Sequence, residues 1–276
     1  MRETINLINL KTSDIKYELT VFPDGEPHIK LDELDRKKEY KVICRITNPS
    51  ELFVLAQVGH ILKRQGIIFD VVITYLMSMR MDRVINFNEA FSLEIVASII
   101  NSFNPETVYV FEAHSDRVFK EIKNSKPINL INSSKVPFIL NSNNTAICFP
   151  DYGAFDRYSY SSLIPPSADI LCMKKIRDLE NKGAIKSMEL VNPVDKNFRT
   201  ITIIDDLCDG GGTFCWASKI LREKYTYAKV NIFVKHLVNP LGLKRLAETF
   251  DEVYITNSYK DWDVSEYQNV HLFTVA

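Results

Sequence analysis

Apolar runs and helical stripes alternate along the chain. Tyr40 to Ile46 (YKVICRI) switches between apolar and polar residues and predicts a strand. Ser50 to Arg64 carries Leu52, Leu55, Val58 and Leu62 at helical spacing and predicts an amphipathic helix. Ile67 to Tyr75 (IIFDVVITY) predicts a buried strand. Asn88 to Phe103 predicts a helix with Leu93, Val96, Ala97, Ile100 and Phe103 on one face, and Thr107 to Phe111 predicts the next strand. This alternation implies α/β units around a mainly parallel sheet flanked by helices.

The pattern then restarts. Ala146 to Phe149 predicts a strand leading into a Pro150-Asp151-Tyr152-Gly153 turn, and Ala168 to Met173 another strand. Thr200 to Ile204 predicts a strand that runs into Asp205-Asp206, followed by a glycine cluster and a helix over Thr213 to Glu223. Lys229 to Val234 and Glu252 to Thr256 predict two more strands. The polar stretch Asn124 to Asn144 is the expected interdomain segment, giving an N-terminal domain over 1–133 and a C-terminal domain over 134–276.

Composition narrows the function classes. The 276 residues carry 34 Lys and Arg against 35 Asp and Glu, a net charge of −1, so no basic excess marks a nucleic-acid binder. No apolar run reaches the roughly 20 residues that cross a bilayer, and Met1 to Thr4 lacks the layout of a signal peptide. The five cysteines form no C-x-x-C pair, so reduced thiols and a cytoplasmic location are expected. Glycine is scarce, 9 of 276 residues, and three of the nine are the tripeptide Gly210-Gly211-Gly212.

That tripeptide sits in the segment Ile201 to Phe214 (ITIIDDLCDGGGTF), where a β-branched strand ends in two acids, a third acid follows, and Thr213 opens a helix. Glycines let backbone N–H groups converge on an anion, and a helix N-terminus adds its positive end. Carboxylates beside such a cradle suit sugar hydroxyls or Mg²⁺. Together the parts suit a ribose that carries a phosphate. A tight turn with surface acids is the plainer alternative; the absence of Gly-Lys-Ser/Thr excludes a Walker A loop.

The segment resembles the phosphoribosyl-pyrophosphate (PRPP) loop of type I phosphoribosyltransferases. Four more segments resemble those of ribose-phosphate pyrophosphokinases (PRPP synthetases), in family order: Phe22 to Glu26 (FPDGE), Tyr75 to Arg83 (YLMSMRMDR, with Met81 where Gln is usual), Glu112-Ala113-His114, and Pro150 to Gly153 with Arg157. The resemblance implies two phosphoribosyltransferase-like α/β domains and transfer of the β,γ-diphosphate of Mg·ATP to the 1-hydroxyl of ribose 5-phosphate. It implies that the N-terminal domain serves ATP binding and oligomerisation, as a dimer or hexamer whose ATP site is shared between subunits. Phe22, Asp24 and Glu26 would contact adenine, and Arg80, Arg83 and His114 the ATP phosphates. His114, Asp151 and Asp205 would hold the metal. Asp205, Asp206 and Asp209 would hold ribose hydroxyls, and Gly210, Gly211, Gly212 and Thr213 the 5-phosphate. The family's catalytic Lys and Arg on a mobile loop match Lys175 and Arg177, with Lys174 as an alternative to Lys175; the loop would continue through Gly183.

Other assignments stay open. Arg80 and Arg83 flank Asp82 and also fit a surface ion-pair cluster, and His114 fits a hydrogen-bonded strand-end histidine. Gly210 stands where the family has Thr, and Tyr152, Phe155 and Tyr158 crowd the Pro150 to Gly153 segment. Both departures bear on the acceptor. A phage-borne branch of the family uses ADP-ribose and makes ADP-ribose 1-pyrophosphate for NAD synthesis, and the Lys-, Asn- and Ile-rich composition is compatible with an AT-rich phage or bacterial genome, which would put the protein in a host cytoplasm. The aromatic residues either stack on a second base or simply pack. A PRPP-consuming phosphoribosyltransferase and an inactive regulatory subunit are the alternatives to the pyrophosphokinase.

Overall fold

The computed structural model describes residues 2–129, 144–159, 164, 168–178 and 184–275, and of residues 177, 178 and 184–186 the backbone only. The chain divides into two compact units, residues 1–128 and 129–275. The expected boundary between 133 and 134 lies outside the described residues.

The first unit runs β1 (Glu3–Asn6), β2 (Tyr17–Val21), β3 (Pro27–Leu31), β4 (Tyr40–Ile46), α1 (Pro49–Arg64), β5 (Phe69–Leu76), α2 (Ser92–Ser102), β6 (Val108–Phe111), α3 (Val118–Glu121) and β7 (Ser125–Ile128). Five strands form a sheet in the order β1-β4-β5-β6-β7, with every neighbouring pair parallel. β4 buries every second residue, as its alternation predicts, and β5 is buried along most of its length. The Asn48 side chain accepts the Glu51 N–H at 3.0 Å and Pro49 starts α1, where no N–H is needed. Gly66, at φ +70°, ends it, with Ile67 N–H bonded back to the Leu62 carbonyl. That bond is why β5 begins at Phe69 and not at Ile67. The helix expected from Asn88 begins only at Ser92, because Glu89 accepts bonds from Ile85 N–H, Asn86 N–H and the Asn86 amide and builds a turn there.

β2 and β3 pair antiparallel as a separate hairpin. Phe22 to Glu26 is its tip. Gly25 takes φ +89° and donates to the Phe22 carbonyl at 2.8 Å, while the Asp24 carboxylate accepts the Glu26 N–H at 3.1 Å. Pro, Asp and Gly each supply the turn chemistry their positions need.

The second unit runs β8 (Thr145–Phe149), α4 (Tyr152–Tyr158), β9 (Asp169–Asp178), β10 (Ala184–Leu190), β11 (Thr200–Cys208), α5 (Gly212–Lys224), β12 (Lys229–Leu237), α6 (Pro240–Thr249), β13 (Val253–Thr256) and β14 (Val270–Phe273). The seven strands lie in the order β10-β9-β8-β11-β12-β13-β14, parallel except for the β9–β10 pair. Ile201, Ile203, Val230, Ile232 and Val234 pack in one cluster with Phe214, Ala217 and Leu221 of α5 and Leu243 and Leu246 of α6. Burying each such side chain is worth about 1.5–3 kcal/mol, so this layer fixes the strand ends that carry the site. All five cysteines are free thiols, and burial pushes up Cys44, Cys148 and Cys208. Among the described residues no helix is long and apolar enough to cross a membrane.

Three expectations for this unit change. The Pro150 to Gly153 turn is the entry to α4. The strand expected to end at Ile204 continues to Cys208, because β12 extends the ladder through Asp205↔Val234, Leu207↔His236 and Cys208↔Leu237. Met173 to Asp178, expected as a loop, is the second half of β9, held by antiparallel pairing to β10 from Met173↔Leu190 onward.

Candidate functional site

β8 and β11 are neighbours, yet from β8 the chain proceeds to β9 on one side and from β11 to β12 on the other. The carboxyl ends of two such strands bound the crevice where open α/β sheets bind ligands. β8 delivers Asp151 to this place and β11 delivers Asp205 and Asp206.

Asp151 caps α4, accepting the Ala154 N–H at 2.9 Å. The helix then carries Arg157 back over the strand ends. Arg157 Nη2 donates to Asp206 Oδ1 at 2.8 Å and to Asp205 Oδ1 at 3.2 Å. Burial raises the Asp205 carboxyl well above the usual carboxylate range, and the charge of Asp206 beside it adds to the effect. Burial also works against the Arg157 charge, but Asp206 and Asp205 outweigh it and raise its pKa. The crevice therefore holds two buried acids that repel each other and share one guanidinium.

Lys175, on β9, ion-pairs with Asp151. Burial pushes the Asp151 carboxyl up, but the Lys175 ammonium and the Ala154 N–H win and hold it below its ordinary value. Lys174, one residue away on the alternating strand, points elsewhere and lies 3.7 Å from Glu189. The two candidate lysines are thus separated by strand geometry. The Arg177 side chain and the loop expected through Gly183 lie outside the described residues.

After β11 the chain turns through Asp209 and the three glycines into α5. Gly211 occupies the position before the helix at φ +78°, a left-handed conformation that costs a non-glycine residue about 1–2 kcal/mol. Gly212 and Thr213 then open a 13-residue helix whose N-terminus faces the acids' end of the strand. The loop is braced by the next strand-to-helix turn. The Asn239 amide donates to Asp209 Oδ1 at 2.9 Å, Arg245 Nη1 donates to the Gly210 carbonyl at 2.8 Å, and Gly242 abuts the Asp209 carbonyl so closely that a Cβ there would overlap it. Asn239, Gly242 and Arg245 were not singled out in the sequence. Asn-Pro-Leu-Gly after an apolar strand was the available signal, a capped helix start with a glycine in its first turn.

The aromatic residues near Asp151 divide. Phe155 packs edge-on against Phe149 at 5.8 Å and Tyr158 is buried under Lys235, so both are packing residues. Only Tyr152 is exposed, at 52%.

In the first unit, β5 and β6 are adjacent and their carboxyl ends carry Arg80 to Arg83 and Glu112 to His114. The Ser115 hydroxyl donates to Asp82 Oδ2 at 2.7 Å and joins the two segments; Arg83 Nε lies 3.4 Å from Asp82 Oδ1. Arg80 and Arg83 are exposed and His114 is half-buried. Glu112, in the Glu112-Ala113-His114 segment noted in the sequence, is buried and at φ +44°, a backbone conformation that costs of order 1–3 kcal/mol. Phe22, Asp24 and Glu26 stand exposed at the tip of the separate hairpin, whose strand β3 is tied to α1 by Gln57, bonded to Ile29 N–H at 3.1 Å and the Pro27 carbonyl at 2.7 Å.

Mg²⁺ wants oxygen donors. Asp151, Asp205 and Asp206 are such donors, and burial together with the neighbouring charge of Asp206, which raise Asp205, are what a divalent cation offsets, so the acids of the second unit fit the ion. Among the described residues, however, no group of three or more His, Cys, Asp or Glu is gathered as a metal site, and His114 belongs to the first unit.

No protein-family profile matches the chain. Curated proteins do. A ribose-phosphate pyrophosphokinase of Pyrococcus abyssi is 27% identical over 261 residues, covering 92% of this chain and 85% of that protein. One from Saccharolobus solfataricus is 26% identical over 252 residues, covering 85% and 84%. Among solved structures, phosphoribosylpyrophosphate synthetase from Mycobacterium smegmatis matches with a TM-score of 0.79 at 18% identity, over 96% of this chain and 88% of its own, and shows that the fold is shared. With a phosphoribosyltransferase-like sheet in each unit, the chain is similar over most of its length to ribose-phosphate pyrophosphokinases and shares the fold of a phosphoribosylpyrophosphate synthetase.

Proposed function

We propose that the protein is an ATP-dependent diphosphotransferase that moves the β,γ-diphosphate of Mg·ATP to the anomeric 1-hydroxyl of a ribose 5-phosphate moiety, releasing AMP. The observation that carries this reading is the Asp205-Asp206 pair at the switch point, followed within a few residues by a glycine turn into the N-terminus of α5. The acids offer acceptors to a diol while the turn and helix end offer N–H groups to a phosphate. Lys175 holds Asp151 at the crevice, and in this reading its ammonium meets the transferring phosphates. Phosphoryl-type transfer needs positioning and charge neutralisation more than covalent chemistry, and the crevice is furnished for that.

In this reading Asp205, Asp206 and Asp209 hold the sugar and the Gly210 to Thr213 turn its 5-phosphate. Asp151 and Asp205 would hold Mg²⁺, which when bound supplies charge neutralisation at the ATP phosphates. Arg80 and Arg83 grip those phosphates. Phe22, Asp24 and Glu26 are lent to a neighbouring subunit's adenine, which requires a homo-oligomer; Arg177 joins Lys175 in catalysis. The buried free thiols fit a cytoplasmic setting.

A second acceptor, ADP-ribose, is favoured by one feature. A side chain at Gly210 would meet only the tip of Arg245, at 3.7 Å, and one at Gly212 nothing within 4 Å, so the phosphate turn is open where the family carries a threonine. Exposed Tyr152 is then the aromatic face left for a second base. The test offers Mg·ATP with ribose 5-phosphate or with ADP-ribose and follows AMP by chromatography. AMP with ribose 5-phosphate supports PRPP formation, and AMP with ADP-ribose supports ADP-ribose 1-pyrophosphate formation and a role in NAD synthesis. AMP with neither acceptor overturns the reading.

A further inference from the structure

Lys235 is fully buried near the carboxyl end of β12, a place where an ammonium is expensive. It does not reach the surface. Its Nζ lies 3.5 Å from the centroid of the Tyr158 ring and 5.2 Å from that of Phe233. The strand register explains what else it faces. Asp205 is level with Val234 and Leu207 with His236, so Asp206 lies beside Lys235, and in a parallel pair level residues share a face of the sheet. Arg157, which bonds Asp206, also stands over the Tyr158 ring, its Cζ 5.9 Å from the centroid. Two cations, one aromatic ring and two buried acids are therefore gathered at one end of the sheet. The Lys235 backbone is fixed as well, its carbonyl accepting from Thr256 Oγ1 at 2.5 Å and Ser258 Oγ at 3.0 Å.

A methionine would fill the same volume without a charge to desolvate. The charge therefore calls for an electrostatic account. Two carboxylates under a phosphate turn repel a sugar phosphate, whereas two carboxylates balanced by two cations, the partly buried Arg157 and the wholly buried Lys235, do not. A buried cation also acts with little of the screening that water gives a surface lysine. We propose that Lys235 is a positioning residue of the sugar-phosphate site, the buried counter-charge that with Arg157 balances Asp205 and Asp206, so that a polyanionic sugar phosphate can approach the acids that bind its diol. This rests on the sugar-phosphate reading of the crevice given above.

The test is calorimetric titration of ribose 5-phosphate with Mg²⁺ into the wild-type chain and into Lys235→Met and Lys235→Arg, with thermal melts and the AMP assay run in parallel. The expected result is at least tenfold weaker ribose 5-phosphate binding by Lys235→Met, with an unchanged KM for ATP, a melting temperature equal to or above wild type, and most of the affinity recovered in Lys235→Arg. Wild-type affinity in Lys235→Met overturns the proposal, as does a fall in melting temperature with both substrates equally weakened, the outcome of a merely structural lysine. Should Lys235→Met fail to fold, Tyr158→Leu serves: it keeps the core apolar but removes the ring from the ammonium. Weaker ribose 5-phosphate binding in that variant supports the proposal, and unchanged binding overturns it. The two readings separate. AMP from the wild type with normal binding by Lys235→Met sinks only the counter-charge, whereas no AMP from the wild type with the binding loss intact sinks only the diphosphotransferase. A wild-type chain that binds neither ribose 5-phosphate nor ADP-ribose overturns both.

Discussion

The backbone carbonyl of Asp209 lies against the bare α-carbon of Gly242, with no room between them for a side chain. The contact presses the start of α6 onto the glycine turn, and the Arg245 bond to the Gly210 carbonyl runs alongside it. Gly242→Ala must push the two turns apart. Overpacking of this kind costs about 1–3 kcal/mol, and the displaced turn loses its hold on the acceptor's phosphate. Thermal melts should show the destabilisation, and KM for the sugar phosphate should rise more than KM for ATP. Gly212→Ala, where a Cβ meets nothing within 4 Å, should melt close to wild type and shows whether alanine itself is at fault.

Gly210, unlike Gly211 and Gly242, is replaceable. Its φ is not in the left-handed region and a Cβ would meet only Arg245 Nη1, at an ordinary 3.7 Å. Gly210→Thr should therefore leave stability within about 0.5 kcal/mol. Its effect should fall on the acceptor: a hydroxyl beside the 5-phosphate should lower KM for ribose 5-phosphate, and the added bulk should raise KM for ADP-ribose. Equal changes for both acceptors would show that the turn does not discriminate between them.

These two glycines also show what the sequence could and could not convey. The two α/β halves were legible because β4, α1, α2 and β11 carry their periods openly, and the phosphate turn because a rare residue is clustered after two acids. The brace was not legible, since Asn239, Gly242 and Arg245 lie some thirty residues beyond the turn and only folding brings them to it. The hairpin strand β2 alternates Tyr17, Leu19 and Val21 with polar residues over only five positions and buries none of them. β10 exists through its pairing with β9, and that pairing turns an expected basic loop into a strand that sends Lys174 and Lys175 to different partners. Lys235 sits in a run, NIFVKHLV, that shows a strand but not that its one lysine is wholly buried.

Arg157 serves two buried acids, so its loss should be costly. Removing one partner of a buried ion pair typically costs about 3–5 kcal/mol, and Arg157→Met should approach that range in chemical denaturation. Asp205→Asn should do the reverse. The Asp205 carboxyl has a raised pKa in the folded chain, so between the ordinary carboxylate value and the raised one the folded state binds the extra proton, and stability falls as pH rises through that window. Asp205→Asn removes this slope. It should match or exceed wild-type stability at neutral pH, rescue part of the loss in Arg157→Met/Asp205→Asn, and still fail to form product. Additive effects of the two substitutions would contradict the shared pair.

Asp151 titrates with the opposite sign. Lys175 and the Ala154 N–H hold its pKa below the ordinary value, so its contribution to stability is fully present above that value and is lost as pH falls through the lowered one. Lys175→Met removes the larger of the two stabilising partners. The stability difference between wild type and variant should therefore be flat through neutral pH, shrink on acidification below about pH 4, and vanish once Asp151 is protonated in both. Its plateau should be small, about 1 kcal/mol, because the pair is partly exposed to water. The loss of activity should be far larger, at least a hundredfold in kcat at neutral pH, a change in barrier of about 2.7 kcal/mol or more. Lys174→Met, facing Glu189 on the other side of the strand, should keep near-normal turnover. The ratio of the two turnover numbers therefore measures which lysine of β9 meets the phosphates, and equal losses would show that the alternation along this strand does not decide it.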